Sequence, residues 1–258
     1  MEFFSTEVII VITIILFALA TELGYKLGNF HSAEKKKELE EISSSNSTAV
    51  LGMLGFILVF TFGIVYSKYD TRRELVREEA NLIRTSWLRS AFLPEPDRAE
   101  AAGLFRQYLT LRLDIAKTKD FDKVMSAIAE SDNIQHKLWE MAVRNGFKDL
   151  NSDVAALYIE SLNEMINIQA VRVAVAIQAR VPGFIWIFLY LLVFLGMFSL
   201  GYQSSIKMAN RISWLSPVMI ITFTMMITLI VLLDRSDSMF ITVSQQPLID
   251  LMSWMGTK

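Results

Sequence analysis

AVLGMLGFILVFTFGIVY, residues Ala49–Tyr66, holds no Asp, Glu, Lys, Arg or His over eighteen positions and is built mainly from Leu, Ile, Val, Phe and Gly. A helix rises about 1.5 Å per residue, so about 20 such residues cross a hydrocarbon core about 30 Å thick. Two more windows meet the same standard: Gly183–Tyr202 and Ile212–Leu233. Val8–Leu23 is shorter and is flanked by Glu7 and Glu22. It could be a signal peptide, a buried helix or a span. A secretory signal begins positively charged, whereas Glu2 and Glu7 stand here, so the segment is read as a span.

Composition agrees with a bilayer as solvent. Hydrophobic residues make up 53% of the 258, and the mean hydropathy is +0.38, high for a domain whose whole surface meets water. With no cysteine, a disulfide framework, a thiolate metal site and a cysteine nucleophile are all excluded. The formal charge of -2 and the scattered basic residues leave no nucleic-acid footprint.

Between the second and third spans, Ser67–Pro182 has ordinary charge content and helical periodicity. Four apolar stripes run through it: Val76, Ala80, Ile83 and Trp87; Ala101 to Ile115; Val124 to Ala142; and Ala155 to Ile177. Pro94 and Pro96 break the first from the second, Gly146 can end the third and Ser152 can cap the fourth. Nothing between Val65 and Asp70 breaks a helix, and only Pro182 separates the last stripe from the third span. Ser43–Ser47 reads as a flexible stretch and Lys35–Lys37 as a solvated helical turn.

The expected fold is therefore an all-α membrane protein with four transmembrane helices, two and two, flanking a helical extramembrane bundle. Residues 1–66 hold the first pair (spans 8–23 and 49–66), 67–182 the helical domain, and 183–258 the second pair (spans 183–202 and 212–233) with a C-terminal tail. The lipid bilayer is the first partner. Lys68, Arg72, Arg73, Arg77, Arg84, Arg172, Arg180 and Arg235 flank the membrane on the domain side, against Lys26, Lys35, Lys36, Lys37, Lys207 and Arg211 opposite. The positive-inside rule gives most weight to short loops, and the lysines there blur its answer; the domain is expected in the cytoplasm and the protein in the cell membrane, the inner one in a Gram-negative bacterium.

No catalytic or metal-binding set emerges. His31 and His136 are the only histidines and lie apart, with no H-E-x-x-H, glycine-rich phosphate loop or G-x-S-x-G, so no enzyme and no cofactor is expected. None of the three long spans carries an ionisable residue, which favours a channel over a proton-coupled pump. Glu78, Glu79, Asn81 and Arg84 could make a polar constellation that takes a cation, with Lys68 above it. Surface pairs or links to a neighbouring helix are the plainer reading. Gly52, Phe56 and Phe60 recur every fourth residue and trace one narrow stripe. Several copies around an axis would turn that stripe into a phenylalanine neck; on spacing alone, packing against the first span with glycine allowing close approach is the favoured reading.

Ile57-Leu58-Val59-Phe60, then Tyr66, Lys68 and Arg73, the helix on through Glu79-Ala80-Asn81 to Leu93-Pro94-Glu95-Pro96, Asp234-Arg235, and Val243-Ser244-Gln245-Gln246-Pro247-Leu248-Ile249-Asp250-Leu251 resemble the bestrophin-like domain family of prokaryotic membrane proteins. The resemblance spans Ala49–Leu251. It is more distant to the bestrophins proper, pentameric ion channels with a hydrophobic neck on the second helix. It implies that Phe56 and Phe60 form such a neck, with Gly52 one turn beyond, and that the protein is a homo-oligomer, five copies in bestrophins, passing small inorganic ions. Tyr69-Asp70-Thr71 and Phe62-Gly63-Ile64 depart from the bestrophin pattern. Asp234-Arg235-Ser236-Asp237 is too sparse for calcium's six to eight oxygens, so no calcium gating is expected. The alternative is a non-conducting membrane scaffold or sensor whose helical domain binds a partner.

Overall fold

The computed structural model describes residues 6–118, 120–149, 151–177, 181–207, 215–235 and 242–257. Of the residues named above, Glu2, Arg180, Arg211, the start of the fourth window at Ile212–Trp214, and Ser236–Asp237 lie outside that set. The described residues form eight helices: α1 Thr6–Asn29, α2 Ala33–Ser90, α3 Asp97–Ile115, α4 Phe121–Gly146, α5 Asp153–Ile177, α6 Gly183–Ile206, α7 Leu215–Asp234 and α8 Gln246–Gly256. No strand occurs among them. Helices α1, α2, α6 and α7 each contain a stretch long and apolar enough to span a membrane.

The chain divides into two compact units, Met1–Tyr69 with Arg180–Ile241, and Asp70–Ala179 with Thr242–Lys258. The first holds the membrane helices. Its buried side chains, among them Phe17, Leu54, Leu58, Val193 and Ile230, are as apolar as the residues it exposes, such as Ile15, Leu19, Ile187 and Met225. Lipid is as apolar as leucine, so burial alone does not choose the inward face; close approach and hydrogen bonds do. A methyl group on Gly24 would run into the Phe198 carbonyl, and one on Gly201 into the Thr21 carbonyl. One turn on, Gly28 faces Ser205. Helices α1 and α6 thus touch backbone to backbone. Thr13 Oγ1 and Tyr190 Oη add a hydrogen bond of 2.9 Å between them.

Two sequence expectations are corrected in this unit. Ser43–Ser47 is not a flexible stretch but part of α2. Ser47 Oγ lies 2.8 Å from Ser199 Oγ, and Ser44 Oγ accepts from Gln203 Nε2 at 3.0 Å, so small hydroxyl side chains seat α2 on α6 where flexibility was expected. Lys36 is not solvated like its neighbours: it is 8% exposed, and its ammonium donates to Asn29 Oδ1 at 3.0 Å and to Ser205 Oγ at 3.5 Å. Those partners sit at the last turns of α1 and α6, where a helix dipole favours a cation.

The second unit is a helical bundle whose four stripes meet as expected. Val76, Ile83, Phe105, Leu138 and Leu162 are core residues of α2, α3, α4 and α5. Helix α2 ends at Ser90 before Pro94, α4 ends at Gly146, and Ser152 Oγ accepts from Ala155 N at the start of α5. Asp120 caps α4, its Oδ1 accepting from Asp122 N at 3.1 Å and Lys123 N at 3.4 Å. The C-terminal tail, grouped with the second membrane pair on sequence grounds, packs here instead: Leu248, Leu251 and Met255 of α8 are fully part of this core.

Candidate functional site

In the first unit, Leu54, Leu58, Thr61 and Val65 form the buried edge of α2. Gly196 on α6 leaves room for Leu54; a methyl there would stand 3.1 Å from Leu54 Cδ2. At 100° per residue the Gly52–Phe56–Phe60 stripe lies roughly 170° from the centre of that edge. Phe56 is 71% exposed and Phe60 62%, and an added Cβ at Gly52 would meet nothing within 4 Å. The packing reading of this stripe is therefore overturned within the chain. The glycines at helix contacts are Gly24, Gly28, Gly196 and Gly201, while Gly52 lies on a face that no other part of the described chain covers.

In the second unit, Glu79 is fully buried. Its Oε1 accepts from Arg112 Nε at 2.9 Å, and its Oε2 pairs with Arg172 Nη1. Tyr108 Oη lies 2.8 Å from Gln169 Oε1 and 3.3 Å from Glu79 Oε1. Its single proton serves the nearer acceptor, so the carboxylate is left to the two guanidiniums. Gln135 Nε2 donates to Gln169 Oε1 at 2.8 Å, Gln169 Nε2 donates to Asp132 Oδ1 at 2.5 Å, and Arg172 Nη2 donates to Gln245 Oε1 at 3.4 Å. One connected network thus joins α2, α3, α4, α5 and the segment leading into α8. Burial pushes the Tyr108 hydroxyl up to about 12, so it remains a neutral donor at any ordinary pH.

This geometry corrects the cation-site reading. Both oxygens of Glu79 are committed to arginines, and a cation would have to displace them. Asn81, two residues on, is exposed beside a cleft described below, and Lys68 belongs to the first unit and is not among the groups around Glu79. Of the constellation Lys68, Glu79 and Asn81, only Glu79 enters the network, as the link between helices that the plainer reading expected. Tyr108, Arg112, Gln135 and Gln169 carry no site expectation in the sequence, and Arg172, counted there among the membrane-flanking basic residues, pairs with buried Glu79 instead. Their signal was polar residues interrupting apolar stripes at helical spacing: Arg112 four after Tyr108, Arg172 three after Gln169.

Four membrane-length helices together with an all-helical second unit define a polytopic membrane protein. The Bestrophin-like domain family matches residues 14–235, most of the chain, and the protein belongs to that family. No curated protein and no solved structure gives a match.

Proposed function

We propose that this multi-pass membrane protein of a channel-like family is an oligomeric ion channel, with α2 of each copy turned to a common axis and Gly52, Phe56 and Phe60 forming an apolar neck. The observation that carries the reading is the two-sidedness of α2: one edge packs on its own chain while the phenylalanine stripe opposite stays open. A helix that lines a pore needs both properties, and an uncharged ring of phenylalanines is the chemistry of a dewetting gate. Five copies, small inorganic ions as the permeant species, the cell membrane as location and a cytoplasmic helical domain complete the proposal. No catalytic role is assigned to any residue.

The scaffold alternative required Phe56 and Phe60 to be buried between helices of one chain, and their exposure speaks against it. A lipid-facing stripe would be exposed as well, so conduction is the discriminating measurement. Planar-bilayer recording of the purified protein, with its oligomeric mass measured on the same preparation, should give discrete currents from a ring-sized assembly. Phe60→Ala should widen the neck and raise the leak severalfold. Silence from both forms, or a monomeric or dimeric mass, would return the assignment to the scaffold.

A further inference from the structure

A cleft of about 540 Å³ opens in the second unit between α2 and α8, within the range of small-molecule sites. Arg77, Asn81 and Arg84 line it from α2, and Pro247, Leu251 and Trp254 from α8; both sets follow the spacing i, i+4, i+7, so each helix presents one stripe. The α8 side supplies apolar and aromatic surface and the α2 side supplies hydrogen-bond donors.

The charges in the cleft are unbalanced. Among the described residues neither Arg77 nor Arg84 makes an ion pair. Asp250 also lines the cleft, its Oδ1 accepting from Gln246 Nε2 at 2.7 Å, so the lining sets two positive charges against one negative. The Arg84 guanidinium lies over the Trp254 ring, 4.5 Å from its centroid, and that ring packs edge-on against Trp87 at 5.3 Å. This cation–π contact holds the guanidinium beside the cleft, and a guanidinium's planar set of donors suits a carboxylate. Arg77 stands two turns away, about 10 Å along the helix.

We propose that this cleft binds a small planar organic anion carrying carboxylates, its ring against Leu251 and Trp254 and its carboxylates on Arg84 and Arg77. The site is independent of the phenylalanine stripe and holds whether or not the protein conducts. The test is calorimetric titration of the purified full-length protein with benzene-1,3-dicarboxylate, which is soluble enough in water to stay out of detergent micelles. Saturable binding of one molecule per chain is expected, weakened roughly tenfold or more in Arg77→Gln and in Arg84→Gln, because each variant loses a charge-assisted pair. Both side chains are exposed, so both variants should keep the wild-type melting curve. The neutral benzene-1,3-dicarboxamide should not bind. Absence of saturable heat with the dianion, unchanged affinity in both variants, or equal binding of the diamide would each overturn the proposal.

Discussion

The two units are both helical and are held together by opposite means. In the membrane unit, inside and outside share one chemistry, and the inward face is marked by what is small or hydroxylated: Gly24, Gly28, Gly201, Ser47, Ser199 and Ser205. In the second unit, water separates polar from apolar, a hydrophobic core forms in the ordinary way, and the exception is the ionic network around Glu79. Helix α2 obeys both rules along one length. Its buried residues near Leu54 contact a glycine across the interface, whereas those near Val76 and Ile83 join a core of Phe105, Leu138 and Leu162. The same apolar side chain therefore contributes differently in each: by water exclusion in the bundle, and by contact alone in lipid.

The sharpest way to break this contrast is to add bulk where backbones touch. Gly201→Leu pushes a branched side chain into the Thr21 carbonyl, a contact no rotamer change relieves, so the cost should reach about 3 kcal/mol or more. Size-exclusion chromatography in mild detergent should show loss of the monodisperse peak; a variant that elutes and melts like the parent would show that α1 and α6 are not packed this closely.

Glu79→Gln should cost a comparable amount. It keeps the shape but leaves Arg112 and Arg172 buried without a counter-charge, which costs about 3–5 kcal/mol. Hydrogen exchange should quicken in α3 and α5 and stay unchanged in α1 and α6. Replacing all three residues together, Glu79→Leu with Arg112→Met and Arg172→Met, should recover much of the loss, because no unpaired charge then remains. If Glu79→Gln exchanges like the parent, the network contributes nothing to the bundle.

The smallest of the three effects depends on pH. The folded state holds the Tyr108 proton until about 12, while the unfolded chain releases it near 10. Above pH 10 the unfolded state therefore binds fewer protons, and stability falls as pH rises through that window. The loss is at most about 3 kcal/mol. Denaturant titrations between pH 9 and 12 should show this slope, and Tyr108→Phe should flatten it. Equal slopes in both proteins would mean that the hydroxyl is not buried.

Much of this architecture was legible in the chain. Uncharged runs such as Ala49–Tyr66 announce themselves through length and transfer chemistry, and the stripes from Val76 to Ile177 announce the bundle through their period, because both signals are local. Ser43–Ser47 misled for the same reason. A serine run is polar in composition, and only the presence of Ser199 and Gln203 on another helix turns it into a packing surface. Gly52 and Gly201 look alike in sequence, yet one is open and the other buried against backbone.

Number, length and type of the helices followed from residues near one another in the chain, since hydropathy and periodicity are sums over neighbours. Partner choice did not. Which glycine carries a crossing, that Glu79 is claimed by arginines 33 and 93 residues further on, and that α8 closes a cleft against α2 are facts of contact between distant segments. Spacing along one helix says which side chains share a face, and only the packed chain says what that face meets.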